Sequence, residues 1–348
     1  MQPTTTQMIK TMQDNSTNTT SVGSLSPPDY MYAYVTILNV IIFAVGVIGN
    51  VMVLLVMVRM RIMRTRVNYF LASLSVADLL VLVVCQPIAM LVFYTREVWV
   101  LGSFMCKMVP FLEHWTLHAS VLTLLLIGFD RYFILCRPQT QICPSHTCLL
   151  IIPAWTLSCF LAIPFIFLTH LNLEQHQDGA KEACRTEAGQ THFRIFNVVT
   201  FFIMFVAPLF LLLFLYTSVI TTLRRLSCTG DVSISGIVNS DESRNGIHHA
   251  TARNRRQVAQ MMVAIVVLFF VCFMPFKILT MWLTFATDDD LASLGFETYY
   301  NLLSFSRMVT YINSAGNPVI YAWMSPKFRR AFMLSLPRCR RHSSKIRH

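Results

Sequence analysis

Charge is what this sequence has least of. Asp, Glu, Lys and Arg make up 13% of its 348 residues against 55% hydrophobic residues, and the mean hydropathy is +0.55. So little polar surface cannot solvate a water-soluble fold of this size, so lipid has to act as the solvent. Acids are the scarcer sign, 17 against 28 basic residues, for a net charge of +11. That excess would suit nucleic acid if the basic residues gathered on a polar domain. Here they are interleaved with long apolar runs, and a nucleic-acid partner is not expected. No repeat of 20 to 50 residues is visible, which removes support from solenoids and internally duplicated transporters. There is no His-Glu-x-x-His motif, and His114 and His118 have no cysteine or carboxylate set at ligand spacing beyond Glu113, so an intramembrane metalloenzyme is not expected. The first 30 residues lack the apolar core of a signal peptide, which leaves the first apolar run as an uncleaved anchor.

What is present is a series of seven apolar stretches, each long enough for the ~20 helical residues that cross a hydrocarbon core. They run from Tyr32 to Val58, Asn68 to Tyr94, Ser103 to Leu135, Leu149 to Thr169, Phe193 to Leu223, Val258 to Thr284 and Thr298 to Trp323. This pattern predicts an all-α membrane protein, a seven-helix bundle over residues 32–325 with tails at 1–31 and 337–348. Arg225 to Arg253 reads as the longest loop. Residues 326–336 follow the last span; Phe328, Phe332 and Leu336 recur every four residues opposite Lys327, Arg329 and Arg330, which predicts a short helix along the membrane surface.

Loop charge orients the bundle. Arg59, Arg61, Arg64, Arg66, Arg137, Arg224, Arg225, Arg253, Arg255, Arg256 and the tail basic cluster fall on one side, which the positive-inside bias makes cytoplasmic. Glu97, Glu174, Asp178, Glu182, Glu187, Asp288 to Asp290 and Glu297 fall on the other. The N-terminus is then outside, where Asn15 and Asn18 begin Asn-x-Thr triplets open to glycosylation. Of ten cysteines only Cys106 and Cys184 fall on the oxidising side, and a disulfide between them is expected over the alternative of two free thiols. Cys339, among basic residues past the surface helix, is a palmitoylation candidate.

Polar residues inside the spans carry the chemistry, because each costs several kcal/mol unless it meets a partner or water. Asp78 lies mid-span, and Ser120, Asn313, Ser314 and Asn317 lie at comparable depth on other helices. A carboxylate with several oxygen donors suits a sodium ion acting as a modulator; the alternative is a bundle joined by hydrogen bonds with no ion, and no other cofactor is required. On the third span Glu113 and Arg131 are 18 residues apart, five turns or about 27 Å of rise, so one face offers an acid at the outer end and a base at the inner end. Asp130 and Tyr132 flank Arg131, and the adjacent carboxylate can hold the arginine until something competes for it.

The ordered set of motifs resembles the rhodopsin-like G-protein-coupled receptors across residues 32 to 336: Gly49-Asn50, Leu74 to Asp78, Cys106 with Cys184, Asp130-Arg131-Tyr132, Trp155, Pro208 with Tyr216, Phe269 to Pro275, and Asn317-Pro318-Val319-Ile320-Tyr321 followed by Phe328. The resemblance implies a plasma-membrane receptor that activates a heterotrimeric G protein when Arg131, Tyr216 and Tyr321 rearrange and the sixth helix swings outward about Pro275, with Pro318 in the corresponding seventh-helix motif. Phe273 stands where the family usually has tryptophan, so it can stack on Phe269 but brings no indole donor. Gln139 is more polar than the apolar residue that many relatives insert into the G protein.

At the outer end, Glu113, Lys277 and Arg307 make a pocket of two positive groups and one negative, with His114, Thr280 and Tyr311 as further ligand candidates. Such a pocket suits the carbonyl, amide or carboxylate groups of an extracellular peptide better than a lipid; a Glu113 to Arg307 ion pair that only joins two helices is the alternative. Tyr311 stands where an opsin needs its Schiff-base lysine, which argues against retinal, and Glu113 replaces the aspartate of amine receptors, which leaves a biogenic amine second. The surroundings of Arg255-Arg256-Gln257-Val258, Met274-Pro275-Phe276 and Tyr311 to Phe328 are similar to thyrotropin-releasing-hormone receptors and related invertebrate neuropeptide receptors, a resemblance that favours a Gq-type partner. A transporter or channel with seven spans is the reading from a different class, and nucleotide-sensitive G-protein coupling would separate the two.

Overall fold

The computed structural model describes residues 27–137, 147–176, 179–186, 191–234 and 242–335. Six of its helices are long and apolar enough to cross a membrane: α1 (Asp29–Arg59), α2 (Arg66–Tyr94), α3 (Gly102–Cys136), α4 (Thr147–Leu168), α5 (Thr191–Arg225) and α6 (Arg256–Phe285). The last long helix, α7 (Phe296–Met324, 29 residues), completes the seven-helix bundle. Arg307, Asn313, Ser314 and Asn317 lower its hydropathy, so α7 is held by its neighbours more than by lipid. The surface helix α8 (Pro326–Ser335) follows at once, with Phe328 and Ala331 buried and Arg329 and Arg330 exposed, as its four-residue periodicity predicts.

Prolines shape the spans. Both π turns, Val81–Cys85 in α2 and Phe202–Val206 in α5, lie in the turn before a proline, Pro87 and Pro208. Proline lacks the amide hydrogen and crowds the carbonyl four residues back, and widening the preceding turn relieves that. The segment expected to be one long loop is helical at both ends: helix continues from Ala207 to Ile234 and begins again at Glu242. Polar residues can continue a helix into water without the apolar stretch used to set the span boundaries.

The fold departs from an all-α arrangement at one point. Between α4 and α5, β1 (Thr169–His176) and β2 (Gly179–Thr186) pair antiparallel with Leu171 opposite Cys184. The Cys106–Cys184 disulfide, with Cα atoms 5.6 Å apart, ties this hairpin to the start of α3, and the Trp99 amide donates to the Glu182 carbonyl at 2.7 Å. The hairpin is thus held over one end of the bundle.

The largest core cluster lies towards the opposite, arginine-rich end, where Phe70, Leu124, Phe269, Tyr321 and Phe328 pack together. Gly49 lets α1 meet α7 there: a Cβ at that position would lie 2.7 Å from the Pro318 Cβ, closer than side-chain carbons approach. Asn15, Asn18, Gln139 and Cys339 lie outside the described residues.

Candidate functional site

Three helices and a fourth from below build one narrow cavity of about 60 Å³. From α3 come Glu113, His114, Thr116, Leu117 and Ser120, which recur at three- and four-residue steps and so share a face. Phe273, Phe276 and Lys277 come from α6, and Arg307, Thr310, Tyr311, Asn313 and Ser314 from α7. Ala77, Asp78 and Val81 of α2 form the floor. Glu113, His114, Lys277, Arg307 and Tyr311, read from sequence as an outer pocket, and Asp78, Ser120, Asn313 and Ser314, read as a mid-membrane polar set, therefore line a single space, which Asn317 and Thr280 do not reach.

Within it the charges are arranged unevenly. Glu113 and Arg307 attract one another, yet among the described residues neither is in a salt bridge, and Lys277 has no carboxylate partner there either. The staple between Glu113 and Arg307 is thus not formed, and the polar ends of all three side chains remain available to a ligand. His114 donates from Nδ1 to the Pro110 carbonyl at 2.9 Å and stacks on Phe165 with ring centroids 3.4 Å apart, which fixes its ring at the cavity wall. Thr280 does not line the cavity; its hydroxyl donates within α6 to the carbonyls of Phe276 and Lys277. Thr116, Leu117, Phe276 and Thr310 do line it and were not singled out from sequence, although each stands one residue from, or three to four residues from, a residue that was.

Arg307 and Tyr311 also border a second cavity of about 50 Å³, with Asn39 of α1, Phe93 of α2, Glu97 and Tyr300. At its mouth Arg185 of β2 donates from Nη1 to Glu97 Oε2 at 2.5 Å. The disulfide neighbour Cys184 places Arg185, and a positive φ of 65° places Glu97, so this ion pair joins the hairpin to the α2–α3 loop.

Below the cavity, Asn317 Nδ2 donates to Asp78 Oδ2 at 2.9 Å. Asn50 Nδ2 donates to the Ser314 carbonyl at 2.9 Å, which fixes α1 to α7 beside it. Ser75 Oγ, Asn313 Oδ1 and Asn317 Oδ1 are buried with no hydrogen-bond partner among the described residues. Carboxylate, hydroxyl and amide oxygens are the donor types that hard cations take.

The arginine-rich end carries the second functional cluster. Asp130 is ion-paired with Arg131, as its adjacency predicts, and also with Arg66 of α2, whose Nη2 lies 2.9 Å from Oδ1. Sequence reading placed Arg66 only among the loop charges, because nothing along α2 shows which α3 residue it faces. Tyr216 and Tyr321 are buried with hydroxyls that have no partner among the described residues, and Tyr132 packs beside the Leu135, Val219 and Ala259 cluster. Phe269 and Phe273 stack with centroids 4.7 Å apart, two residues from Pro275. Gln257, at the start of α6, donates from Nε2 to the Met324 carbonyl at the end of α7, 2.7 Å away. That bond satisfies one of the carbonyls a helix end leaves open.

The 7 transmembrane receptor (rhodopsin family) description matches residues 49–321, from the glycine that seats α1 against α7 to the tyrosine packed on α8. This chain belongs to that family; it is a signalling receptor of the membrane and not an enzyme. Among similar curated proteins is the QRFP-like peptide receptor of Branchiostoma floridae, 30% identical over 312 residues that cover 86% of this chain and 76% of the relative. The thyrotropin-releasing hormone receptor of Gallus gallus is 31% identical over 316 residues, 86% and 78% of the two chains. G-protein coupled receptor 54 of Oreochromis niloticus is 28% identical over 303 residues, 85% and 76%.

Proposed function

We propose that this receptor is activated by an extracellular peptide and signals through a heterotrimeric G protein, of the Gq type by resemblance, at the plasma membrane. The observation that carries the reading is the convergence of Glu113, Lys277 and Arg307 on one cavity without salt bridges among them. Carbonyl, amide and carboxylate groups of a peptide backbone or its termini match such a mixed-charge lining, and relatives named as peptide receptors point the same way. The disulfide end is extracellular, since a bridged cysteine pair belongs to the oxidising side and the arginine-rich end to the cytoplasm.

Agonist binding between α3, α6 and α7 favours a state in which α6 swings outward about Pro275, releasing Arg131 from Asp130 to meet the G protein. Asp78, Ser120, Asn313, Ser314 and Asn317 hold a sodium ion in the resting state, where it opposes agonist binding by linkage. A peptide-library screen on cells expressing the chain, read by calcium and cyclic-nucleotide signals, tests the reading. Peptide hits that lose potency in Arg307→Ala support it; a response to amines alone transfers the pocket to the alternative ligand class.

A further inference from the structure

A groove of about 510 Å³ runs down the outside of the bundle where α5 meets α6 at the disulfide end, apart from the central cavity. Its walls are Phe201 of α5 and Ile278, Met281, Trp282 and Phe285 of α6, and its rim is Asp290, in the short helix Asp288–Leu294 that follows α6. Ile278, Trp282 and Phe285 repeat at four- and three-residue steps along one face of α6 and are 58%, 39% and 58% exposed. They face lipid rather than a neighbouring helix. The walls are fixed, because Asn197 Nδ2 of α5 donates to Thr284 Oγ1 of α6 at 2.7 Å and Phe201 stacks on Phe205 with centroids 5.7 Å apart.

The rim gives the groove a sign. Asp290 Oδ2 accepts from the Thr287 amide at 2.9 Å and from the Thr287 hydroxyl at 2.7 Å. These bonds, the amide first, hold the carboxyl below its usual range, so it is anionic at physiological pH. They use one carboxylate oxygen and leave Oδ1 for a ligand. Among the described residues no basic side chain lines the groove. From Ile278 to Phe285 the helix rises about 10 Å, the depth over which a phospholipid passes from headgroup through glycerol to the upper acyl chain. A tryptophan at that interface offers its ring face to a cation, and quaternary ammonium groups are bound by aromatic faces in this way.

We propose that this groove binds a choline phospholipid of the leaflet on the disulfide side, its trimethylammonium between Trp282 and Asp290 and an acyl chain along Phe201, Ile278 and Met281. Phosphatidylglycerol lacks the cation, and its net negative charge is repelled by Asp290. A lipid seated there bridges α5 and α6 and favours the arrangement of the two helices that forms the groove.

The test uses the full-length receptor purified in detergent with equal amounts of phosphatidylcholine and phosphatidylglycerol, the retained lipids being counted by native mass spectrometry. The unmodified receptor retains phosphatidylcholine in preference. Asp290→Asn and Trp282→Leu each lower the retained ratio by about two- to fivefold, the range a cation–aromatic contact at an exposed site supplies. Asparagine keeps an oxygen for the Thr287 amide, so Asp290→Asn tests the charge with the cap intact, and thermal unfolding of both variants checks the fold. Equal retention of the two lipids by the unmodified receptor, or a preference that survives both substitutions, overturns the assignment. Displacement of the phosphatidylcholine by cholesterol, which brings no cation, does the same.

Discussion

Gln257→Ala should raise the basal activity of the receptor. The Gln257 side chain donates to the Met324 carbonyl at 2.7 Å, and this bond spans the arginine-rich ends of α6 and α7. An outward swing of α6 has to break it, so the bond contributes to the resting state and not to the active one. A single neutral hydrogen bond is worth about 0.5–1.5 kcal/mol net. Its removal should therefore shift the resting-to-active equilibrium by about two- to twelvefold, provided the active population is still small. The Met324 carbonyl lies at the helix end and can be hydrated in the variant, so no buried acceptor is stranded. Agonist-free guanine nucleotide exchange on membranes with matched receptor levels reads the shift, and Gln257→Glu, which loses the amide donor, should move in the same direction. Unchanged basal exchange in both variants, with agonist-stimulated exchange intact, would refute the view that this bond holds α6 in place.

Three further outcomes are expected. Cys106→Ala and Cys184→Ala should each reduce surface expression or ligand binding, because the bridge holds the β1–β2 hairpin over the pocket; normal saturation binding in both removes that role. Asp78→Asn should abolish the lowering of agonist affinity by sodium, measured by competition binding in sodium and in a large organic cation; a receptor indifferent to sodium before mutation retains the hydrogen-bond role of Asp78 and loses the ion. Arg307→Ala should weaken agonist potency about ten- to a hundredfold, the value of a partly desolvated charged hydrogen bond of about 1.5–3 kcal/mol, whereas Arg131→Ala should suppress nucleotide exchange while binding persists; unchanged potency in Arg307→Ala moves the ligand elsewhere.

The parts of this fold that lie along a single helix were legible in the sequence. Seven apolar lengths, the amphipathic repeat of α8 and the common face of Glu113 and Ser120 follow from rise and period alone. Cys106 with Cys184 followed from which side of the membrane each falls on. The hairpin did not follow, since β1 carries few β-branched residues and forms where the disulfide and the Trp99 amide hold its partner strand.

Contacts between helices explain the remainder, because helical arithmetic gives the depth and azimuth of a residue but not the neighbour it meets. Arg66 and Asp130 are 64 positions apart in sequence order, and neither the loop-charge count nor the Asp130-Arg131-Tyr132 motif shows that the α2 guanidinium shares the α3 carboxylate. The consequence is physical as well as predictive. A carboxylate with two arginines holds each less exclusively than a carboxylate with one, so Asp130 has a second cation to keep when Arg131 leaves. Loss of the Arg131 contact alone therefore does not strand Asp130 as an unpaired buried charge. The central cavity follows the same logic: Glu113 and Asp78 each invited a separate local reading, and only the packing of α2, α3, α6 and α7 makes their surroundings one space. The wall beside Arg307 and the wall beside Asp78 are therefore one stretch of α7, with Ser314 and Asn313 on the turn below Thr310 and Tyr311, so that on the proposed reading a displacement of α7 at either end is felt at the other.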